Sequence, residues 1–183
     1  MTEPLREAGL APAHLERLAN AGLRVAVAES LTGGLLADAF VSVSGASSVF
    51  SGGIVSYDTA LKRSLLSVDA RLLRERGPVD ADVARQMALG VRSACAVPRS
   101  DDGEPVVADI GLSTTGVAGP EPDPQTGQPA GIVWLGVSSR LGERAVGLSL
   151  EGGRADIRRE TVRLALQQLS DELDALEGLA AVR

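Results

Sequence analysis

Residues 23–34, Leu23-Arg24-Val25-Ala26-Val27-Ala28-Glu29-Ser30-Leu31-Thr32-Gly33-Gly34, run from a short valine-bearing apolar stretch into a serine and then a glycine pair. An apolar run of this length reads as a buried strand, and residues 31–43 carry a helical pattern that begins at the glycines. Strand, turn and helix therefore follow in order. Ahead of them, Leu15, Leu18 and Ala19 recur at helical spacing over 12–21, with Gly22 as the stop. Behind them, 49–57 reads as a second strand, with Gly52-Gly53 marking a weak point or bulge. Helices are expected over 59–66 and 81–95, the second with Asp80 as N-cap. Residues 97–105 form a polar loop. Strands are expected over 106–112, 132–139 and 145–150, the last two joined as a hairpin at Leu141-Gly142-Glu143. A long amphipathic helix over 155–176 closes the pattern. Early alternation with a late hairpin predicts a single layered α/β domain over 1–183, its core about 12–176, with a mixed β-sheet flanked by helices. There is no internal repeat. The stretch 116–130, rich in Gly and Pro, is the one long irregular segment and is expected to be a lid or binding loop.

With 183 residues, 44% hydrophobic, the chain suffices for one well-buried core. A net charge of -6 and the absence of any Lys/Arg cluster argue against a nucleic-acid partner. The single thiol, Cys95, excludes an intrachain disulfide or Cys-based metal site; it lies in an apolar helical pattern and is expected in the core. His14, the sole histidine, is too isolated for a metal cluster or a Ser-His-Asp triad. No apolar run approaches a membrane span, and 1–22 lacks the features of a signal peptide, so a cytoplasmic protein without a membrane partner is expected.

Of 18 Lys+Arg residues only Lys62 is lysine, and it sits five positions after the only tyrosine, Tyr57. Arginine stays charged, whereas a desolvated lysine amine gives up its proton. A serine nucleophile needs a base, which with no plausible histidine is a lysine, a carboxylate or a tyrosinate; Lys62 is the natural candidate for Ser30, with Tyr57 able to relay or orient the proton. Ser30 lies where a strand ends and a helix begins, which is where ligands of α/β sheets bind. Ser30, Thr32, Gly33 and Gly34 suit either a cradle for phosphate or oxyanion, or an N-cap with a tight turn. No Gly-Lys-[Ser/Thr] follows and Gly-x-Gly-x-x-Gly is absent, which removes the kinase and dehydrogenase readings. A second glycine-rich element, Thr114-Thr115-Gly116-Val117-Ala118-Gly119-Pro120, suits the same crevice or a plain loop. Near Gly152-Gly153-Arg154-Ala155-Asp156-Ile157-Arg158, arginines at a helix start invite an anion or pair with nearby acids.

Taken in order, the motifs at 28–34, Gly53-Ile54-Val55-Ser56-Tyr57 with Lys62, 115–120, Pro129-Ala130-Gly131 and Gly153-Arg154 with Ile157-Arg158 resemble the C-terminal domain family of the competence and damage-inducible protein CinA, over roughly 15–173. The family includes stand-alone amidohydrolases that convert nicotinamide mononucleotide to nicotinate mononucleotide and ammonia. The resemblance implies Ser30 as nucleophile assisted by Lys62 and Tyr57. It also implies a small-molecule nucleotide surrounded by Glu29, Thr32, Gly33, Gly34, Thr115, Gly116, Ala118, Gly119, Arg154 and Arg158. It implies no metal and no cofactor. The alternative is a non-catalytic nucleotide-binding or regulatory module that keeps the cradle without turnover. Two positions depart from the family's habit: Leu31, where a cysteine is frequent, and Glu121-Pro122-Asp123-Pro124, where a glycine run is frequent. Apolar residues over 176–182 suggest a homodimer or higher homo-oligomer.

Overall fold

The structure, a computed structural model, describes residues 12–181. Its frame is β1 (Val25–Glu29), buried along its whole length and hydrogen-bonded in parallel to β2 (Phe50–Val55) on one side and β3 (Ile110–Gly116) on the other. β4 (Ile132–Ser139) runs antiparallel to β3, and β5 (Gly142–Ser149) antiparallel to β4, giving the order β2-β1-β3-β4-β5. The sheet is mixed, and its helices divide between two faces. Side chains alternate along β1. Val25 and Val27 pack with α1 (Pro12–Asn20), α2 (Leu35–Val41) and α6 (Arg154–Ala181). Ala26 and Ala28 pack with α3 (Thr59–Leu66), α4 (Ala70–Arg76) and α5 (Ala81–Ala94).

Small residues face α5 because that helix lies almost on the sheet backbone. A Cβ on Gly111 would overlap the Ala88 carbonyl oxygen, and one on Gly136 would overlap that of Ala84. The Ser113 hydroxyl donates to the same Ala84 oxygen at 2.6 Å.

Several boundaries differ from expectation, each for a local reason. The helix expected from residue 31 starts at Leu35, since Gly33 and Gly34 take positive φ of 58° and 100° and turn the chain first. The strand expected over 106–112 lies at Ile110–Gly116. Val106 makes only an isolated bridge to Val97, and pairing begins after the Asp109 carboxylate accepts the Arg24 N–H at the foot of β1. The expected Gly52-Gly53 irregularity is present as a register shift opposite Val25/Ala26. α4 was not anticipated; Asp69 caps it by accepting the Leu72 N–H at 2.7 Å. Cys95 is half-buried at the end of α5 rather than deep in the core. Of the apolar C-terminal stretch, Leu176 is buried against the core and Leu179 is 51% exposed, while Val182 lies outside the described residues. No helix among the described residues is long and apolar enough to cross a membrane.

Candidate active site

The three parallel strands end side by side. Glu29, the last residue of β1, is opposite Val55 on β2 and Thr114 on β3. The chain beyond β1 is held at once by both neighbours: Ser30 N–H donates to Thr114 C=O at 3.0 Å, and Ser56 N–H donates to Glu29 C=O at 2.8 Å. Ser30 is thus fixed at the carboxyl end of the sheet. From β2 the chain passes Tyr57 to Asp58, which caps α3 by accepting the Ala60 N–H at 2.8 Å and sets the helix so that Lys62 points back under the strand ends.

Lys62 is 0% exposed. Its Nζ donates to the Ser56 carbonyl at 2.7 Å and to Ser30 Oγ at 3.0 Å. No carboxylate among the described residues forms an ion pair with it. Burial pushes its pKa down to about 8, against a smaller opposing effect from the Asp58 charge. The amine therefore sits at hydrogen-bond distance from the hydroxyl and gives up its proton more readily than an ordinary lysine.

The turn after Ser30 is clamped from two directions. The Glu29 carboxylate, 0% exposed, accepts the N–H groups of Gly34 (2.9 Å), Leu36 (3.0 Å) and Ala37 (2.8 Å). The positive end of α2 is therefore filled by the protein's own anion. From α6, Arg158 donates through Nε to the Leu31 carbonyl (2.9 Å) and through Nη2 to the Thr32 carbonyl (2.8 Å). Gly33 N–H turns back to Ser30 C=O at 3.2 Å, and the Thr32 and Thr114 hydroxyls meet at 2.7 Å. Two N–H groups of this turn, those of Leu31 and Thr32, donate to no acceptor among the described residues. They directly follow the serine, the position of donors that receive a developing oxyanion in acyl transfer.

A cleft of about 370 Å³ opens on this arrangement. Of the residues expected around the site, Ser30, Tyr57, Lys62, Thr115, Gly116, Ala118 and Arg154 line it. Glu29, Thr32, Gly33, Gly34, Gly119 and Arg158 do not; they shape its walls from behind. The charges of Glu29 and Arg158 are engaged with backbone groups of the turn and of α2. Tyr57 is 61% exposed, and its hydroxyl accepts from Arg154 Nη2 at 3.1 Å, with no hydrogen bond to Ser30 or Lys62. Arg154 also donates to Gly119 C=O at 2.9 Å, tying the start of α6 to the second glycine-rich turn. Thr115 Oγ1 donates to Pro78 C=O at 2.6 Å.

Leu31, Thr59, Pro78 and Val79, which no sequence motif marked as cleft residues, complete the lining together with Asp123 and Pro124 of the expected binding loop. The 116–130 loop reaches the cleft because its glutamines reach outward: Gln125 Nε2 donates to Leu73 C=O at 3.0 Å, and Gln128 Nε2 to Val79 C=O at 3.1 Å. Two long amides within a Gly/Pro-rich stretch were the available signal. A larger groove of about 450 Å³ lies against α4, α5 and Glu143, but neither serine nor lysine lines it.

The CinA C-terminal domain family matches residues 7–173 of the chain. Among curated relatives, a CinA-like protein of Frankia casuarinae is 44% identical over 142 residues, 78% of this chain and 30% of that protein. A competence-damage inducible protein of Bacillus velezensis is 36% identical over 153 residues, 84% of this chain and 34% of that protein. The chain thus spans about a third of the length of these relatives. Among solved structures, a CinA superfamily protein of Klebsiella pneumoniae superposes with a TM-score of 0.81 at 26% identity, covering 94% of this chain and 99% of that one. A competence/damage inducible protein of Agrobacterium tumefaciens gives 0.78 at 33% identity, covering 95% and 98%. A match over nearly the whole chain, joined to agreement of fold, means that the protein belongs to the CinA C-terminal domain family.

Proposed function

We infer that the protein is an amidohydrolase that converts nicotinamide mononucleotide to nicotinate mononucleotide and ammonia through a serine–lysine pair. The observation that carries this reading is the fully buried Lys62 amine, 3.0 Å from Ser30 Oγ and with its pKa lowered to about 8. At pH 7 about one such amine in ten is neutral, against about one in three thousand at the ordinary value of 10.5.

The neutral amine accepts the Ser30 proton while one of its own N–H groups goes on donating to the Ser56 carbonyl, and Oγ adds to the carboxamide carbon. The oxyanion forms beside Leu31 N–H and Thr32 N–H, donors that need no reorganisation because Arg158 and Glu29 hold the turn; each well-placed donor of this kind is worth about 3 kcal/mol. The Lys62 ammonium returns its proton to the amide nitrogen, the C–N bond breaks, and ammonia leaves a nicotinoyl ester on Ser30. Water, deprotonated by the same amine, then hydrolyses the ester to the acid and regenerates the hydroxyl. Arg154, whose partners in the protein are both uncharged, suits the 5′-phosphate. Tyr57 acts in this scheme by aiming Arg154 rather than by moving the proton.

Ammonia release from nicotinamide mononucleotide by the purified protein tests the reading. Turnover is expected in the wild type and its loss in Ser30→Ala. A wild type that binds the mononucleotide and releases no ammonia, or a Ser30→Ala variant as active as the wild type, overturns it.

A further inference from the structure

Three ionic groups line the cleft: Lys62, Arg154 and Asp123. Lys62 is committed to Ser30 and Ser56, which leaves Arg154 and Asp123 as fixed charges that a ligand meets. The protein neutralises neither. Arg154 donates only to the Gly119 carbonyl and the Tyr57 hydroxyl. Asp123 accepts from Gln125 N–H (3.1 Å), Thr126 N–H (2.7 Å) and Thr126 Oγ1 (2.7 Å), uncharged donors that all use one oxygen, Oδ1. Neither residue has an ion-pair partner among the described residues, and Oδ2 of Asp123 accepts from nothing there.

Asp123 is also held in place. Its N–H donates to Gln128 C=O at 2.9 Å, and its carbonyl accepts Gly127 N–H at 2.8 Å, closing a small ring of chain. Gln125 and Gln128 then fasten that ring to Leu73 and Val79. A carboxylate kept rigid and uncompensated in a ligand cleft repels a purely anionic ligand and favours one that brings a positive charge of its own. One cation and one anion, unpaired in the same cleft, fit a ligand that is itself anionic at one part and cationic at another.

We propose that Asp123 recognises the permanent positive charge of a pyridinium ring, so that the cleft selects nucleotides with a cationic, oxidised ring over those whose ring is uncharged. The proposal takes its ligand from the amidase reading above, with phosphate directed to Arg154. A pyridinium nitrogen bonded to ribose has no proton to donate, so the interaction is one of charge and asks only that Oδ2 remain ionised and unpaired.

The experiment is calorimetric binding to Ser30→Ala, which stops turnover, of nicotinamide mononucleotide and of its 1,4-dihydro form, which shares carboxamide, ribose and phosphate but has an uncharged ring. Asp123→Asn is then added to the same background; asparagine keeps the Oδ1 acceptor that closes the loop and removes only the charge. The oxidised form is expected to weaken about tenfold in the double variant, equivalent to about 1.4 kcal/mol. The dihydro form should stay within about twofold, below 0.5 kcal/mol. Equal weakening of both forms, no weakening of either, or binding of neither form to Ser30→Ala overturns the proposal. Ammonia release by the wild type is read separately. Charge-selective binding without turnover sinks the amidase reading alone, and turnover with an indifferent Asp123→Asn sinks this proposal alone.

Discussion

Replacing Lys62 by methionine, a side chain of similar length and no charge, should convert the pH dependence of stability into a direct reading of the buried amine. The folded protein holds Lys62 at a pKa of about 8, and the unfolded chain returns it to 10.5. Because the folded value is the lower one, the unfolded state binds more protons between these limits, and stability rises with pH through that window. At pH 7 both states are mostly protonated, and the folded state carries a penalty of about 3 kcal/mol for enclosing the ammonium; at pH 10 about 1 kcal/mol of it remains. Lys62→Met removes the penalty at every pH. It also leaves the Ser56 carbonyl and the Ser30 hydroxyl without their donor, a cost that does not change with pH. The difference in unfolding free energy between wild type and variant, measured by urea titration at pH 7 and pH 10, should therefore move by about 2 kcal/mol in favour of the wild type as pH rises. All other titrating groups cancel in that comparison. A difference that stays constant to within about 0.5 kcal/mol would show that the amine is not held below its ordinary pKa, and the base assigned to Ser30 would go with it.

The same amine predicts that kcat/KM for ammonia release rises with pH through a midpoint near 8 and levels off about one pH unit above it. Lys62→Arg, which cannot lose its proton, should lower kcat/KM by about 10²–10⁴ and abolish that rise; wild-type rates in the variant would refute it. Glu29→Ala strips the acceptor from three N–H groups at the start of α2 and should destabilise the fold by about 3 kcal/mol or more, read as a shift of the urea midpoint. Gly111→Ala forces a methyl into the Ala88 carbonyl and should cost about 1–3 kcal/mol in the same measurement, although alanine is the better residue by backbone entropy.

The sequence made the scaffold and the meeting of Ser30 with Lys62 readable for different reasons. The order of strands and helices followed from apolar periodicity, and the mixed sheet from the late hairpin. Lys62 and Ser30 stood out because one amine survives in an arginine-rich chain and because the serine ends a strand. What stayed hidden depended on where side chains point in three dimensions. Glu29 and Arg158 sit inside recognisable motifs, yet nothing local says that one caps α2 and the other grips two carbonyls 126–127 residues away. α4 escaped notice because its seven residues, Ala70–Arg76, bury only Leu73 and show no apolar period. β3 begins four residues later than its apolar run suggests because Val106 and Val107 look like strand but lie at the surface, ahead of the point where Asp109 locks the chain to Arg24.

The outer wall of the cleft is fastened through Gln125 to the carbonyls of Leu73 and Arg74, in the least buried helix of the sheet's α5 face. Ser30 and Lys62 draw their stability from the centre of the sheet, but the loop bearing Asp123 and Pro124 rests in part, beside the Gln128 bond to Val79, on one short helix with a single buried leucine. Such an element opens at a fraction of the global unfolding free energy. On warming, the cleft should lose its wall while the sheet is still intact, and ligand affinity should fade at temperatures where circular dichroism still reports a folded protein.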